Sequence, residues 1–414
     1  MGCIGSSYKE VTVTNEPLIE KYVISHHRWI SLIQSILPSP LYEINIIEQD
    51  IGYDIDLFYQ RFISGKTRVS TGNLSTNELY VYAGVIGLYY GPNSHKYENI
   101  TTNIIQYNKL DTTWLKSKLH SLYLQCNKPF EYTSTFDERD VTVIDDDSTI
   151  LLLYNFATGE KRSAIILEEA KRVEPDISII IHGGGTYFSG TAEEHYKNLI
   201  QPIKSVFPNA MVRALRGTND IFSGPDGFDY VKRTIGQNAS YFSIRNQSLI
   251  IQGIDTSNQQ IYEEEVQWHT RCIKEADKQN KKIITFSYHD PITENKFLYQ
   301  LKEIVPFIDA YFFGDKHTFM LYKDYPYEDT SLKKPRLIGH GGNGNEKMLD
   351  EMYTSSDKII PGDEWHIRHN GTFIDNGFCV LTCKKNVITL NYYTIHFTVT
   401  GNHYPAHLIY KEIV

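Results

Sequence analysis

The chain has 414 residues, of which 41% are hydrophobic, and it carries a formal net charge of −9. This length predicts about two domains, and an acidic chain without a long basic run is not expected to bind a nucleic-acid backbone, which needs clustered Lys and Arg. The five cysteines form no CxxC pair, so we expect free buried thiols rather than a structural zinc site.

The N-terminus reads MGCIGSS, which places Gly2 after the initiator and Ser6 where the myristoylation pattern requires Ser or Thr. One myristoyl chain binds a membrane only marginally, with a constant of about 10⁴ M⁻¹, so a second signal is needed. Cys3 is the candidate for palmitoylation, since no polybasic segment follows. The sequence predicts that residues 1–14 are a flexible, doubly acylated tether on the cytoplasmic face of a membrane. The alternative is a chance start of a disordered tail.

Residues 15–145 are predicted to form a smaller, mostly α or α+β N-terminal domain of unknown type. The segment Asn15–Pro17 is a helix-start signature; further helices are predicted over Ile55–Ile63 and from Asp111 onward. The aromatic and apolar segment Leu79–Tyr90 fits a strand or a helix equally well. No catalytic constellation is evident in this region.

Strands alternate with helices from about residue 146 onward, and polar loops follow the strands. This alternation predicts an α/β domain whose site lies at the carboxyl ends of the strands. The predicted elements are, in order, a strand over Ile150–Tyr154, a helix over Arg162–Arg172, a strand over Ile177–Ile181, a helix over Ala192–Val206 and a strand over Ala210–Leu215.

The loops after these strands occur in an order that resembles one known family. Their sequences are LYNFATG at 153–159, GGGTYFSG at 183–190, GTND at 217–220 and GDKH at 314–317. They resemble the metal loops of the calcineurin-like metallophosphoesterases, specifically the purple acid phosphatase branch. The resemblance runs to the C-terminus, and it predicts a metallophosphoesterase-like β-sandwich flanked by helices over residues 146–414.

Several positions depart from the family pattern, in which two metal ions lie about 3.5–4 Å apart. Asn155 stands where the family has the first-loop Asp, and Gly184 stands where it has the Asp that bridges both ions. Thr218 replaces the third-loop Asn, and Asn219 replaces the His that aids the leaving group. Asp315 replaces the first His of the last loop. The resemblance therefore implies a degenerate catalytic centre.

Three positions match the family's metal ligands, namely Tyr187, His289 and His317. Asn155 and Asp315 could serve as weak ligands beside them. Two close divalent ions repel each other, and without a bridging carboxylate at position 184 we expect no pair. No resident cofactor is expected, although a single divalent or ferric ion on Tyr187, His317 and Asn155 stays open.

Each of these residues also has a purely structural explanation. Tyr187 could simply pack over the sheet, and His289 and His317 could be core histidines. The glycines 183–185 could cradle a phosphate through their backbone or be relaxed sequence. Glu263–Glu265 is predicted to be a solvated first helical turn. The sequence gives no account of His182 at a strand end.

Three functional hypotheses follow. The first is a membrane-tethered pseudo-phosphatase that acts by binding or scaffolding an unknown protein partner. The second is an active phosphoesterase with a rebuilt one-metal site on Tyr187, His317, Asn155 and Asp315. The third places the activity in the N-terminal region.

Overall fold

A computed structural model describes residues 141–159, 161–187, 190–221, 225–258, 260–292, 295–342, 369–370, 373–384, 386–397 and 403–414. The predictions for the acylated tether and for residues 15–140 of the N-terminal domain lie outside these residues, whereas residues 141–143 form a strand of the second sheet. Within the described residues, no helix is both long and apolar enough to cross a bilayer.

The first of two large sheets has six strands in the order β17-β16-β15-β2-β3-β4. Strands β2, β3 and β4 are parallel, and β15, β16 and β17 form an antiparallel meander that joins at β2. The strands are β2 Ser148–Leu153, β3 Ile179–His182, β4 Met211–Ala214, β15 Asn376–Lys384, β16 Val387–Ile395 and β17 His407–Ile413.

The second sheet has seven strands in the order β1-β5-β6-β7-β8-β12-β9, and its central strands β6, β7, β8 and β12 are parallel. The strands are β1 Val141–Val143, β5 Phe242–Arg245, β6 Leu249–Gly253, β7 Lys282–Phe286, β8 Ala310–Phe313, β9 Phe319–Leu321 and β12 Pro335–Ile338. Two short hairpins are separate, β10 Tyr325–Tyr327 with β11 Thr330–Leu332, and β13 His369–Asn370 with β14 Phe373–Ile374.

Helices connect β2 with β3, β3 with β4, β6 with β7 and β7 with β8, as expected for such crossovers. A single run from 192 to 206 begins as an α-helix, passes through six residues of π-helix and ends as an α-helix. The described helices are α1 Lys161–Val173, α2 Ala192–Glu194, the π-helix His195–Ile200, α3 Gln201–Val206, α4 Asp226–Ile235, α5 Glu263–Lys278 and α6 Asn295–Gln300, with 3₁₀ turns at Asn219–Ile221 and Val305–Phe307.

Strand β2 shows why the two sheets pack as layers. Every residue of its sequence STILLL is buried, which is the pattern of a strand covered on both faces. Ile150 and Leu152 lie in the core between the sheets, whereas Leu151 and Leu153 pack against the helices. Each such buried side chain contributes about 1.5–3 kcal/mol relative to exposure.

The fold class predicted from the sequence is confirmed: the described chain is an α/β sandwich of two sheets flanked by helices. The predicted strands and helices between residues 150 and 215 all occur, with ends shifted by a few residues. The prediction that the first turn of α5 is solvated is wrong for Glu265, which is only 1% exposed. The carboxylate of Glu265 accepts a hydrogen bond from the Asp255 backbone at 2.8 Å, and burial raises its pKa well above 4.5.

Candidate functional site

The loops that follow β2, β3, β4, β7, β8 and β12 meet at one end of the sandwich. Asn155 lies at their centre and is fully buried. Its amide nitrogen donates to the carbonyl oxygens of Gly314, at 2.5 Å, and Gly339, at 3.1 Å. The first loop of one sheet is thereby bonded directly to two loops of the other sheet.

The amide oxygen of Asn155 faces two phenols. Tyr187 and Tyr288 each donate a hydrogen bond to this oxygen, both at 3.2 Å. Asn155 has a φ of 50°, a left-handed conformation that asparagine tolerates better than most residues. Both ends of the amide are therefore used, which a carboxylate could not reproduce because it has no donor.

Tyr187 also joins the last predicted metal loop. Its hydroxyl lies 2.8 Å from His317 Nε2, and the two rings meet edge to face with centroids 5.9 Å apart. Three of the predicted ligands, Asn155, Tyr187 and His317, thus form one hydrogen-bonded group.

The ring of Tyr288 lies where a side chain at position 184 would extend. A Cβ built on Gly184 would lie 2.7 Å from Tyr288 Cδ2 and 2.7 Å from the Gly217 nitrogen. Gly184 also has a φ of +114°, a backbone conformation that favours glycine. Burial and the neighbouring Tyr187 raise the pKa of Tyr288 well above 10, so its hydroxyl remains a donor. A side chain at position 184 would therefore collide with the Tyr288 ring and the Gly217 backbone.

His289 and Thr218 form a second group. His289 Nε2 lies 3.2 Å from Thr218 Oγ1, and its Nδ1 lies 3.1 Å from Thr256 Oγ1. The imidazole is 6% exposed and is held from both sides by hydroxyl groups. The adjacent Asn219 begins a 3₁₀ turn.

Asp315 lies directly after the carbonyl that Asn155 binds. Burial and the nearby Asp290 raise its pKa to about 7. Asp290 is itself fully buried and is paired with the Lys316 ammonium. The Asp315 carboxyl accepts a hydrogen bond from the Lys316 backbone at 2.9 Å, which opposes part of this rise.

Two amides of the glycine loop and one of the next loop bind an aspartate of the chain itself. The Gly185 and Thr186 amides donate to Asp220, at 2.7 and 3.2 Å, and the Gly217 amide donates to it at 2.7 Å. His195 Nε2, on the π-helix, lies 3.0 Å from the same carboxylate. The Asp220 carboxylate thus holds amides of the second and third loops together, and the phosphate-cradling role of the glycines stays a prediction.

His182 lies beneath this loop with no exposed surface. Among the described residues, neither ring nitrogen has a hydrogen-bond partner. Burial lowers the pKa of His182 to about 4, with Asp220 acting in the opposite direction, so the ring is neutral at pH 7. Its ring meets Phe156 edge to face, with ring centroids 6.5 Å apart.

Sequence reasoning missed Tyr288 and Asp220, which the structure places at the centre of the site. Asp220 ends the quoted GTND loop, and Tyr288 directly precedes the matched histidine, so their positions were the available signals. No group of three or more His, Cys, Asp or Glu side chains suited to a metal ion occurs within the part of the chain that is described. The predicted ligand set stays a prediction.

Solved structures similar to this chain include two phosphatases and a protein described as a membrane-complex anchor. A purple acid phosphatase from yellow lupin (Lupinus luteus) seeds has 12% identity and a TM-score of 0.44, over 63% of this chain and 53% of that one. A protein described as GAP50, the anchor in the inner membrane complex of Plasmodium, has 14% identity and a TM-score of 0.42, over 64% and 88%. A dimetal phosphatase from Danio rerio has 8% identity and a TM-score of 0.38, over 63% and 98%.

The chain spans about half the length of the lupin phosphatase, 53%. At identities this low, the likeness concerns the fold alone. No protein-family model matches the chain, and no curated protein sequence matches it.

Proposed function

We propose that this chain is a catalytically degenerate, metallophosphoesterase-like protein that acts by binding or scaffolding a protein partner. In this proposal it needs no resident metal ion, and acylation at Gly2 and Cys3 holds it on the cytoplasmic face of a membrane. The observation that carries the first part is the position of Tyr288, whose ring fills the space beside Gly184.

The residues present do not fit a pair of metal ions. The position of the bridging carboxylate is a glycine against which Tyr288 packs, and two ions at about 3.5–4 Å need a shared donor to offset their repulsion. Asn155 turns its NH₂ group towards the carbonyls of Gly314 and Gly339. A carboxylate there would place an oxygen against both carbonyls, so the surroundings favour the neutral amide.

A one-metal phosphoesterase is the second candidate, and one observation favours it. Tyr187 Oη lies 3.2 Å from Asn155 Oδ1 and 2.8 Å from His317 Nε2, so three possible metal ligands converge. A bound ion would act as a Lewis acid towards a phosphoryl oxygen. Without an ion, Tyr187 forms hydrogen bonds with the other two side chains.

We expect purified full-length protein to hydrolyse an aryl phosphate no faster than its His289→Ala/His317→Ala variant, with Mn, Fe or Zn added. The physical reason is that the site offers no bridging oxygen donor and no leaving-group histidine. The assay compares initial rates after chelator treatment and metal addition, and His407→Ala, which removes an exposed histidine on β17, is the matched control.

Turnover in the parent that the double variant abolishes and the His407→Ala control retains would contradict this proposal. Metal content gives an independent readout. Protein purified without chelators is expected to hold well below one equivalent of metal and to melt at the same temperature with and without chelator. A full equivalent that Tyr187→Phe removes would instead establish the one-metal site.

The tether is tested separately. We expect Gly2→Ala to move the protein from the membrane fraction to the soluble fraction of a eukaryotic cell, because myristoylation requires Gly2 and precedes the second acylation. Cys3→Ser should weaken membrane association and leave the myristate in place. The measurement is fractionation with metabolic myristate labelling; a Gly2→Ala protein that labels and sediments like the parent would refute the tether.

A further inference from the structure

The outer face of the β15–β17 meander carries exposed apolar side chains. Val387, Leu408 and Ile413 are 47%, 47% and 62% exposed. The opposite face of β16 carries Ile388, Leu390 and Tyr392, which fill the core between the sheets. Strand alternation therefore assigns the three exposed residues to one side of the meander.

The pairing register brings these residues together on that side. Ile413 pairs with Thr389, which lies two residues from Val387 on the same face, and Leu408 pairs with Tyr393. Helix α1 packs over neighbouring β15 through the cluster that includes Ile165, Ile166 and Val380. Strand β17 is the edge strand of this sheet, and Leu408, Lys411 and Ile413 on it are exposed.

The charged side chains that the meander itself places on this outer face have one sign, although Glu174, which follows α1, lies close enough to act on Tyr393 of β16. Lys384, at the end of β15, pairs with Val387, and Lys411 pairs with Asn391; both lysines are exposed. Glu412, the acid of β17, faces the other way and binds Arg336 at 2.7 Å. Among the described residues of the meander, the outer face has no Asp or Glu, although the whole chain carries −9.

We propose that this outer face, defined by Lys384, Val387, Leu408, Lys411 and Ile413, docks on an anionic lipid surface. Exposed aliphatic side chains can enter the boundary between headgroups and acyl chains, while lysines beside them are attracted to anionic lipids. This goes beyond the acyl tether and does not depend on it. The face supplies the lipid-charge preference that an acyl chain lacks.

The test uses the full chain carrying Gly2→Ala, so that acylation cannot contribute. Binding is measured by co-sedimentation with vesicles of phosphatidylcholine alone and of phosphatidylcholine mixed with phosphatidylserine. We expect binding to the mixed vesicles that weakens as salt is added. Replacing both lysines, Lys384→Gln/Lys411→Gln, should lower the partition coefficient about thirtyfold, and Ile413→Ser should lower it about tenfold.

The matched control is Lys204→Gln/Lys278→Gln, which removes two exposed lysines from helices with the same change in net charge. This control should bind like the parent. Equal binding to both vesicle types, an equal loss in the control, or no binding at all would overturn the docking face. Capture by polyglutamate beads without vesicle binding would assign the face to an acidic protein and also overturn it. None of these outcomes bears on the acyl tether.

Discussion

Asp220→Ala is expected to lower the free energy of unfolding by about 3–5 kcal/mol. The carboxylate is 1% exposed and accepts three backbone hydrogen bonds, from Gly185, Thr186 and Gly217. Its loss leaves these buried donors unsatisfied, at about 1–3 kcal/mol for each group, and also leaves His195 without its partner. The second and third loops would then lose their shared anchor.

Urea unfolding followed by tyrosine and tryptophan fluorescence measures this change. Asp220→Asn keeps the size and one acceptor and should have a smaller effect. Asp229→Ala, a half-exposed aspartate on α4 paired with Lys232, is the control and should change stability by less than about 1 kcal/mol. If Asp220→Ala also lowered the free energy of unfolding by less than about 1 kcal/mol, the carboxylate would not anchor the loops.

The same carboxylate predicts a pH dependence. Burial opposes its ionisation, but the hydrogen bond and charge of His195 outweigh burial and lower the pKa of Asp220 below 3.8. The folded chain therefore binds this proton less readily than the unfolded chain. The stability it contributes is present above about pH 3.8 and is lost as the pH falls through the folded pKa.

Glu412→Gln is expected to cost a similar amount, about 3–5 kcal/mol, because it leaves a buried guanidinium without its counter-ion. Arg336, on β12 of the second sheet, is 2% exposed and binds Glu412, on β17 of the first sheet, through two hydrogen bonds of 2.7 Å. Tyr392 donates to the same carboxylate at 2.8 Å. This ion pair joins the two sheets at one edge of the sandwich.

The double variant Arg336→Met/Glu412→Leu separates charge from packing. Replacing a whole buried pair by apolar residues of similar volume is often neutral or stabilising, so we expect most of the stability to return. A double variant as unstable as Glu412→Gln would mean that the loss of stability comes from the shape of the side chains and not from their charge pairing. Burial opposes ionisation of Glu412, but the hydrogen bond and charge of Arg336 lower its pKa below 4.5, so this contribution too is lost in acid.

The positions of the site's loops could be predicted from the sequence, whereas the contacts between these loops depend on the fold. The apolar run of β2 and the alternation of strands with helices are local patterns, and they predicted the elements from 150 to 215 and the polar loops that end them. The loop sequences also identified Gly184, Tyr187 and His317 as positions of interest, and the structure brings Tyr187 and His317 within 2.8 Å.

The sequence by itself determined that position 184 has no side chain, because the residue there is glycine. Only the tertiary structure decided what fills the space, since Tyr288 and Asn155 are 133 residues apart and meet at 3.2 Å. Likewise, Asp220 binds Gly185 across 35 residues. Periodicity reports which face of an element is buried, but which distant side chain lies opposite depends on how the two sheets pack.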